Sequence, residues 1–171
     1  MEIEIIEASQ ENAKEISNLF STVISHTFKK EKFLNPIELQ KEIVRQILNY
    51  RACLEDENKC FLVAKHNNEI VATVSFGKIS NTIVSNTDLD DNTPEIKSVY
   101  VLPEHHGKGV GSKIYTEIIK RLKETKASTY CLDSGYASAQ TFWEKKLGTP
   151  YKTLENFWGK DLHHKIWLIN L

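Results

Sequence analysis

The apolar positions of this chain fall into two rhythms, one returning every three or four residues and one alternating, and the changes of rhythm mark its elements. Glu2–Glu7 alternates and predicts a strand. Ser9 offers an N-cap, after which Ala13, Ile16, Leu19, Phe20, Val23 and Ile24 recur at helical spacing. His26–Leu34 reads as a connection. Asn35–Pro36 supplies a cap and a first-turn proline for a second helix, with Ile43, Val44, Ile47 and Leu48 inward and an end near Leu54. Cys60–Lys65 and Glu69–Ile79 are β-branched or apolar runs joined by His66–Asn67–Asn68, which predicts an antiparallel hairpin.

Ser80–Pro94 is rich in Ser, Asn, Thr and Asp and reads as a polar loop, in which Thr82–Val84 is apolar enough to extend the hairpin. Glu95–Leu102 predicts another strand, Pro103–Gly111 a turn, and Ile114, Ile118, Ile119 and Leu122 the inner face of a helix. Ser128–Asp133 predicts a short strand, Ser138–Leu147 a short helix, and Tyr151–Trp158 and His164–Leu171 two terminal strands. The class is therefore α/β with a mixed sheet, and the strand, helix and strand over Glu95–Asp133 predict a parallel pair with a right-handed crossover. No repeat or low-complexity tract divides the chain, so residues 1–171 read as a single domain.

Composition adds exclusions. Hydrophobic residues make up 40% and charged residues 26%, as in ordinary globular proteins. Twenty-two Lys and Arg against 23 Asp and Glu leave a formal charge of −1, so neither nucleic acid nor membrane is an expected partner and any anion must be bound locally. The acidic start lacks the blocks of a signal peptide and no run approaches a membrane span, which implies a cytoplasmic protein. Cys53, Cys60 and Cys131 are odd in number without CxxC spacing and read as buried, reduced thiols. Adjacent residues on a strand point to opposite faces, so His105–His106 and His163–His164 are poor ligand pairs and no metal is expected.

The informative stretch is IKSVYVLPEHHGKGVGSKIYTEIIKRL, where a strand feeds a turn holding Gly107, Gly109 and Gly111 that opens directly into a helix. Glycines let the backbone approach a phosphate, and the free N–H groups of a helix start favour negative charge. A pyrophosphate suits this geometry; a plain glycine-rich helix cap is the alternative. The spacing is not that of a dinucleotide fold, because Ser112 stands where the third glycine of GxGxxG is required, and Gly111–Ser112–Lys113 does not read as a Walker loop.

VYVLPEHHGKGVGSKI resembles the acetyl-CoA signature of the GNAT superfamily of N-acetyltransferases, Gln/Arg-x-x-Gly-x-Gly/Ala, with His106 in place of the Gln or Arg. SAQTFWEKKLGTPY is similar to the family's Ala-x-x-Phe-Tyr segment before a Leu-Gly pair. The resemblance implies an acyl-CoA N-acyltransferase-like α/β fold: a mixed, mostly antiparallel twisted sheet of about six to seven strands flanked by about four helices, with a parallel, splayed pair formed by strands 4 and 5.

It also implies site residues. Pyrophosphate contacts fall to the main chain of His106, Gly107, Lys108, Gly109, Val110, Gly111 and Ser112. Val99, Tyr100 and Val101 on the fourth strand meet the pantetheine arm, the Val101 N–H polarising the thioester carbonyl. Ser134 and Ser138 flank the fifth strand's exit, placed for the pantetheine amide or phosphates, with a helix cap as the equal reading of Ser138. Lys145 and Lys146 read as solvated helix charges rather than phosphate contacts.

Glu95 opens the fourth strand six residues before Val101, where histone-acetylating relatives carry a catalytic glutamate, and is the expected base, with a solvent-facing strand-edge glutamate as the alternative. The family's acid is a tyrosine whose position here holds Trp143, a residue that would instead stack on the pantetheine or wall the acetyl pocket; Tyr136 or Tyr151 is then the proton donor. The expected activity is acetyl transfer from acetyl-CoA to a primary amine by direct attack in a ternary complex. A small amine or polyamine is slightly favoured as acceptor, partly because SNTDLDD is acidic, and a homodimer is compatible with the terminal strands. The alternative is an acyl-CoA-binding sensor of the same fold that has lost catalysis at His106 and Trp143.

Overall fold

The computed structural model describes residues 1–171. Strand β1 (Glu4–Glu7) is followed by helices α1 (Ala13–Lys30) and α2 (Pro36–Leu54) and strands β2 (Cys60–His66) and β3 (Glu69–Lys78). A single-turn helix α3 (Asn81–Val84) leads to β4 (Pro94–Val101), helix α4 (Val110–Lys123) and β5 (Thr129–Ser134). Helix α5 (Ala137–Leu147) and strands β6 (Lys152–Leu154) and β7 (His164–Asn170) complete the chain. All seven strands share one sheet in the order β1-β2-β3-β4-β5-β7-β6, antiparallel at every neighbour except β4 and β5.

The two faces of the sheet are buried by different layers because the strands alternate their side chains. Leu62, Ala72, Val74, Ile96, Leu132 and Trp167 meet Val110, Ile114, Ile118 and Leu122 of α4 and Trp143 of α5. On the opposite face Phe61, Val63 and Ile70 meet Ile16, Phe20, Ile24, Ile43 and Tyr50 of α1 and α2. Ile79, Ile83, Cys131 and Ile166 form a smaller third cluster. Each fully buried Ile or Leu in these layers contributes about 1.5–3 kcal/mol through removal from water.

Four local expectations are corrected. Helix α1 runs on through His26 to Lys30, because Phe28 extends the stripe of Phe20 and Ile24 and is itself buried. In α2, Val44 and Leu48 are half exposed and Gln46, Tyr50 and Cys53 face inward with Ile43, so the inner stripe is rotated from the apolar one. Tyr50 donates its hydroxyl to the Ser9 carbonyl at 2.5 Å, a tie that no periodicity signals. Thr82–Val84 does not extend the hairpin but coils into α3, capped by Ser80 and anchored by the fully buried Ile83, which brings the α-helices to five. The strand expected over Tyr151–Trp158 lasts only three residues, since Asn156, Gly159 and Asp161 take positive φ and end the extended run.

Candidate active site

The parallel pair is held at one point. β4 and β5 share the register Glu95↔Cys131 and then part, although β4 continues to Val101 and β5 to Ser134. The parting starts at a bulge: Lys97 stands opposite Ser75 and Tyr100 opposite Thr73, so β4 holds one extra residue there. Ser98 in that bulge has φ 53°, a left-handed conformation that costs a non-glycine residue roughly 1–2 kcal/mol. Side chains hold it in place. Ser98 Oγ donates to Gln46 Oε1 at 2.6 Å and accepts from Asn49 Nδ2 at 2.9 Å, while the Ser98 carbonyl accepts from Thr73 Oγ1 at 2.7 Å.

Because the Leu102 N–H is spent on the Val71 carbonyl of β3, strand alternation turns the N–H and C=O of Val101 to the other side, into the split. The Val101 carbonyl accepts a hydrogen bond from His106 Nε2 at 2.9 Å. His106 therefore ties the end of β4 to the loop rather than reaching out from it, and its ring lies edge-on to His26.

Below the split, a short turn at Pro103–His105 leads through Gly107 (φ 71°) and Gly109 (φ 81°) into α4. A Cβ on either glycine would meet nothing within 4 Å, so both are required by backbone conformation rather than by crowding. Gly111, one residue into the helix, lies over Val101, whose Cγ2 would be 3.5 Å from an added Cβ. No side chain caps α4 and its first turn holds no acid, so the opening N–H groups of this 14-residue helix lack a partner from the chain. Such a terminus suits an anion.

On the α1–α2 side of the split, Glu95, Lys97, Cys131 and Asp133 share one face. Glu95 is 4% exposed; its Oε2 accepts the Ser80 N–H at 2.5 Å and lies 3.3 Å from Lys97 Nζ. Burial, and then the Asp133 carboxylate, push its pKa up to about 7, against the opposing pull of Lys97 and Ser80. Asp133 Oδ2 lies 3.0 Å from His164 Nε2 without the alignment of a hydrogen bond, and His164 Nδ1 accepts from Trp158 Nε1 at 3.1 Å. Gly135 makes room for that indole: an added Cβ would sit 2.7 Å from Trp158 Nε1.

Tyr100 donates to Glu42 Oε1 at 3.0 Å, and Glu42 is also gripped by Arg45 at 2.7 and 2.8 Å and by Gln46 at 2.9 Å. Burial raises the Glu42 pKa, but these donors outweigh it and leave the carboxyl below its usual value. Burial and then Glu42 push the hydroxyls of Tyr100 and Tyr136 above theirs, so both keep their protons. The Tyr136 ring packs against Phe28 and Phe33.

The remaining expected residues take varied places. Ser134 is buried and accepts the Tyr136 N–H at 3.3 Å; Ser138 gives both its N–H (3.0 Å) and its hydroxyl (2.8 Å) to Glu31 Oε1. Trp143 is buried between α4 and α5 against Tyr115 and Phe142. Tyr151 is half exposed just before β6. Lys108 lies between Gly107 and Gly109, Ser112 follows Gly111 in the first turn of α4, and Val110 is buried. Sequence reasoning missed Gln46, Asn49, Ser98, Asp133, His164, Gly135 and Trp158. The polar stripe Glu42–Gln46–Asn49 at helical spacing is the one signal that pointed to part of this set.

An open mixed sheet parted between two parallel central strands, with an uncapped helix start beneath the parting, defines the acyl-CoA N-acyltransferase fold. The chain belongs to the acetyltransferase (GNAT) family, whose model matches residues 24–149. Its structure is similar to that of PaiA N-acetyltransferase from Thermoplasma acidophilum in complex with coenzyme A (TM-score 0.72, 16% identity, 98% of this chain and 99% of that one). YncA from Salmonella typhimurium with acetyl-CoA gives TM-score 0.71 at 19% identity over 99% and 94% of the two chains. The ribosomal-protein-alanine N-acetyltransferase from Brucella melitensis gives 0.70 at 18% over 98% and 99%. Among curated proteins no sequence matches significantly.

Proposed function

We propose that this chain transfers acetyl from acetyl-CoA to a primary amine, with a small amine or polyamine as acceptor. The observation that carries the reading is the split itself, which joins an anion-ready helix start on one side of the sheet to a buried carboxyl on the other. The site fits acyl-CoA: no acid or side-chain cap competes for the N–H groups from Gly107 to Ser112, that of His106 being spent on the Pro103 carbonyl at 3.1 Å, and Gly107 and Gly109 leave the approach open. When bound, acetyl-CoA supplies an electrophilic thioester carbonyl and a thiol leaving group.

The chain's residues do the rest. The Val101 N–H, turned into the split, serves as the donor for developing negative charge on the acyl oxygen. Val99 and Tyr100 line the same edge, with Ser134 and Ser138 across from it. Glu95 removes the proton that keeps the acceptor an ammonium ion, a task for which a pKa near 7 is suited at neutral pH. Tyr136, protonated and beside the cleft, is the donor to the departing thiol; a thiol of pKa near 8.5 also leaves as thiolate, so this contribution is modest. Tyr151 is the second candidate and Trp143 shapes the floor between α4 and α5.

Calorimetric titration with acetyl-CoA, free CoA and NAD tests the reading, followed by thiol release with a panel of diamines, polyamines, aminoglycosides and peptides. Binding of acetyl-CoA at about micromolar strength without NAD binding is expected. No acetyl-CoA binding, or binding with no thiol release for any amine, refutes it. Light scattering on the same sample reports whether the chain is a dimer.

A further inference from the structure

We propose that Lys97 is itself an acetyl acceptor, so that the chain acetylates its own β4 strand when no external amine occupies the site. This rests on the transferase reading above and adds a modification site to it. Lys97 follows Glu95 by two residues on the same face, at the point where β4 leaves β5, and its Nζ is 3.3 Å from Glu95 Oε2. Its side chain is 23% exposed, so the amine is sheltered without being sealed from solvent. Two other lysines are as sheltered, Lys59 and Lys165, but they pair with Asp56 and Glu144 rather than with Glu95. Lys97 alone of the three has the proposed base as its partner. An amine and a base fixed two residues apart also react without the entropic cost of bringing them together.

The step balances. The Lys97 ammonium gives one proton to Glu95, and the freed amine forms an N–C bond to the acetyl carbon as the C–S bond breaks. The sulfur leaves with the electron pair and takes the second amine proton, giving CoA thiol, and Glu95 returns its proton to solvent. The product is acetyl-Lys97, CoA and one proton. Acetylation removes the one cation at Glu95 and places an amide where an acceptor amine would sit.

The test incubates the full chain with acetyl-CoA at pH 7 and measures acetyl occupancy at Lys97, and at the exposed Lys41 and Lys120, by peptide mass spectrometry. Lys97 should be modified roughly tenfold faster or more than either, at a rate unchanged by diluting the protein. Glu95→Gln should slow it roughly a hundredfold. A second readout needs no turnover: free CoA should shield Lys97, but not Lys41 or Lys120, from trace labelling by acetic anhydride. Labelling of Lys97 no faster than the exposed lysines, in a chain that binds acetyl-CoA and acetylates an added amine, overturns this inference and leaves the transferase reading standing. Absence of acetyl-CoA binding overturns both. The comparison among wild-type lysines decides the matter even if Glu95→Gln folds poorly.

Discussion

Replacing Glu95 by Gln changes one atom in a side chain that is almost wholly buried, and its consequences for rate and stability point in opposite directions. Gln keeps an acceptor for the Ser80 N–H but cannot take a proton. General-base assistance is worth about 10²–10⁴ in rate, so kcat/KM for an amine should fall by that factor, and the limb of the pH profile that rises to about 7 should disappear. Stability should improve at alkaline pH. The Glu95 carboxyl titrates near 7 in the folded chain against an ordinary 4.5, so the folded state binds its proton more tightly. That contribution is complete below 4.5 and is lost as pH rises through 7, amounting to about 3 kcal/mol. Gln mimics the protonated form, so the variant should match the wild type near pH 4.5 and exceed it by a few kcal/mol at pH 8. Thiol release from pH 5.5 to 9, with urea unfolding at pH 4.5 and 8, measures both. A variant that keeps the rising pH limb, or that is no more stable at pH 8 than at pH 4.5 relative to wild type, refutes the assignment of Glu95 as a desolvated base.

Three further outcomes follow from the geometry. Gly109→Asp forces a side chain onto φ 81° and sets a carboxylate before the uncapped α4 start, and should weaken acetyl-CoA binding by roughly tenfold or more in calorimetry; unchanged affinity would remove the loop from the binding site. Ser98→Ala keeps the left-handed φ while leaving the buried Gln46 Oε1 without its donor and Asn49 with only its bond to Ser75, so thermal unfolding should show a loss of about 1–3 kcal/mol, with slowed turnover as the bulge relaxes. Gly135→Ala places a methyl against Trp158 Nε1 and should break its bond to His164, seen as a changed tryptophan emission and a loss of about 1–3 kcal/mol; an unaltered spectrum contradicts the packing described.

The order of strands and helices was legible because each rests on a local pattern that survives any tertiary arrangement: β-branched or apolar runs in β2 and β3, a 3.6-residue stripe in α1 and α4, a cap and proline at Asn35–Pro36. So was the glycine turn, because positive φ at Gly107 and Gly109 is a demand of the backbone itself and only glycine meets it cheaply. Those local signals, with the resemblance they support, were enough to indicate the family and to single out the glycine turn before α4.

What the tertiary structure decided lies between elements far apart in the chain. The split begins where Ser98 is held left-handed by Gln46 and Asn49, about fifty residues earlier, and nothing in the sequence around Ser98 announces it. Whether Glu95 faced solvent or cleft depended on Ser80, Lys97 and Asp133 closing around it, and burial together with the Asp133 carboxylate converts an ordinary carboxyl into one that titrates near 7. The register of α2 went the same way: Tyr50 and Gln46 turn inward because partners from β4 and the N-terminal turn await them, leaving Val44 and Leu48 outside. Period and backbone conformation are properties of neighbours in sequence. Desolvation, hydrogen-bond partnership and strand divergence are properties of neighbours in space, and only the folded chain supplies them.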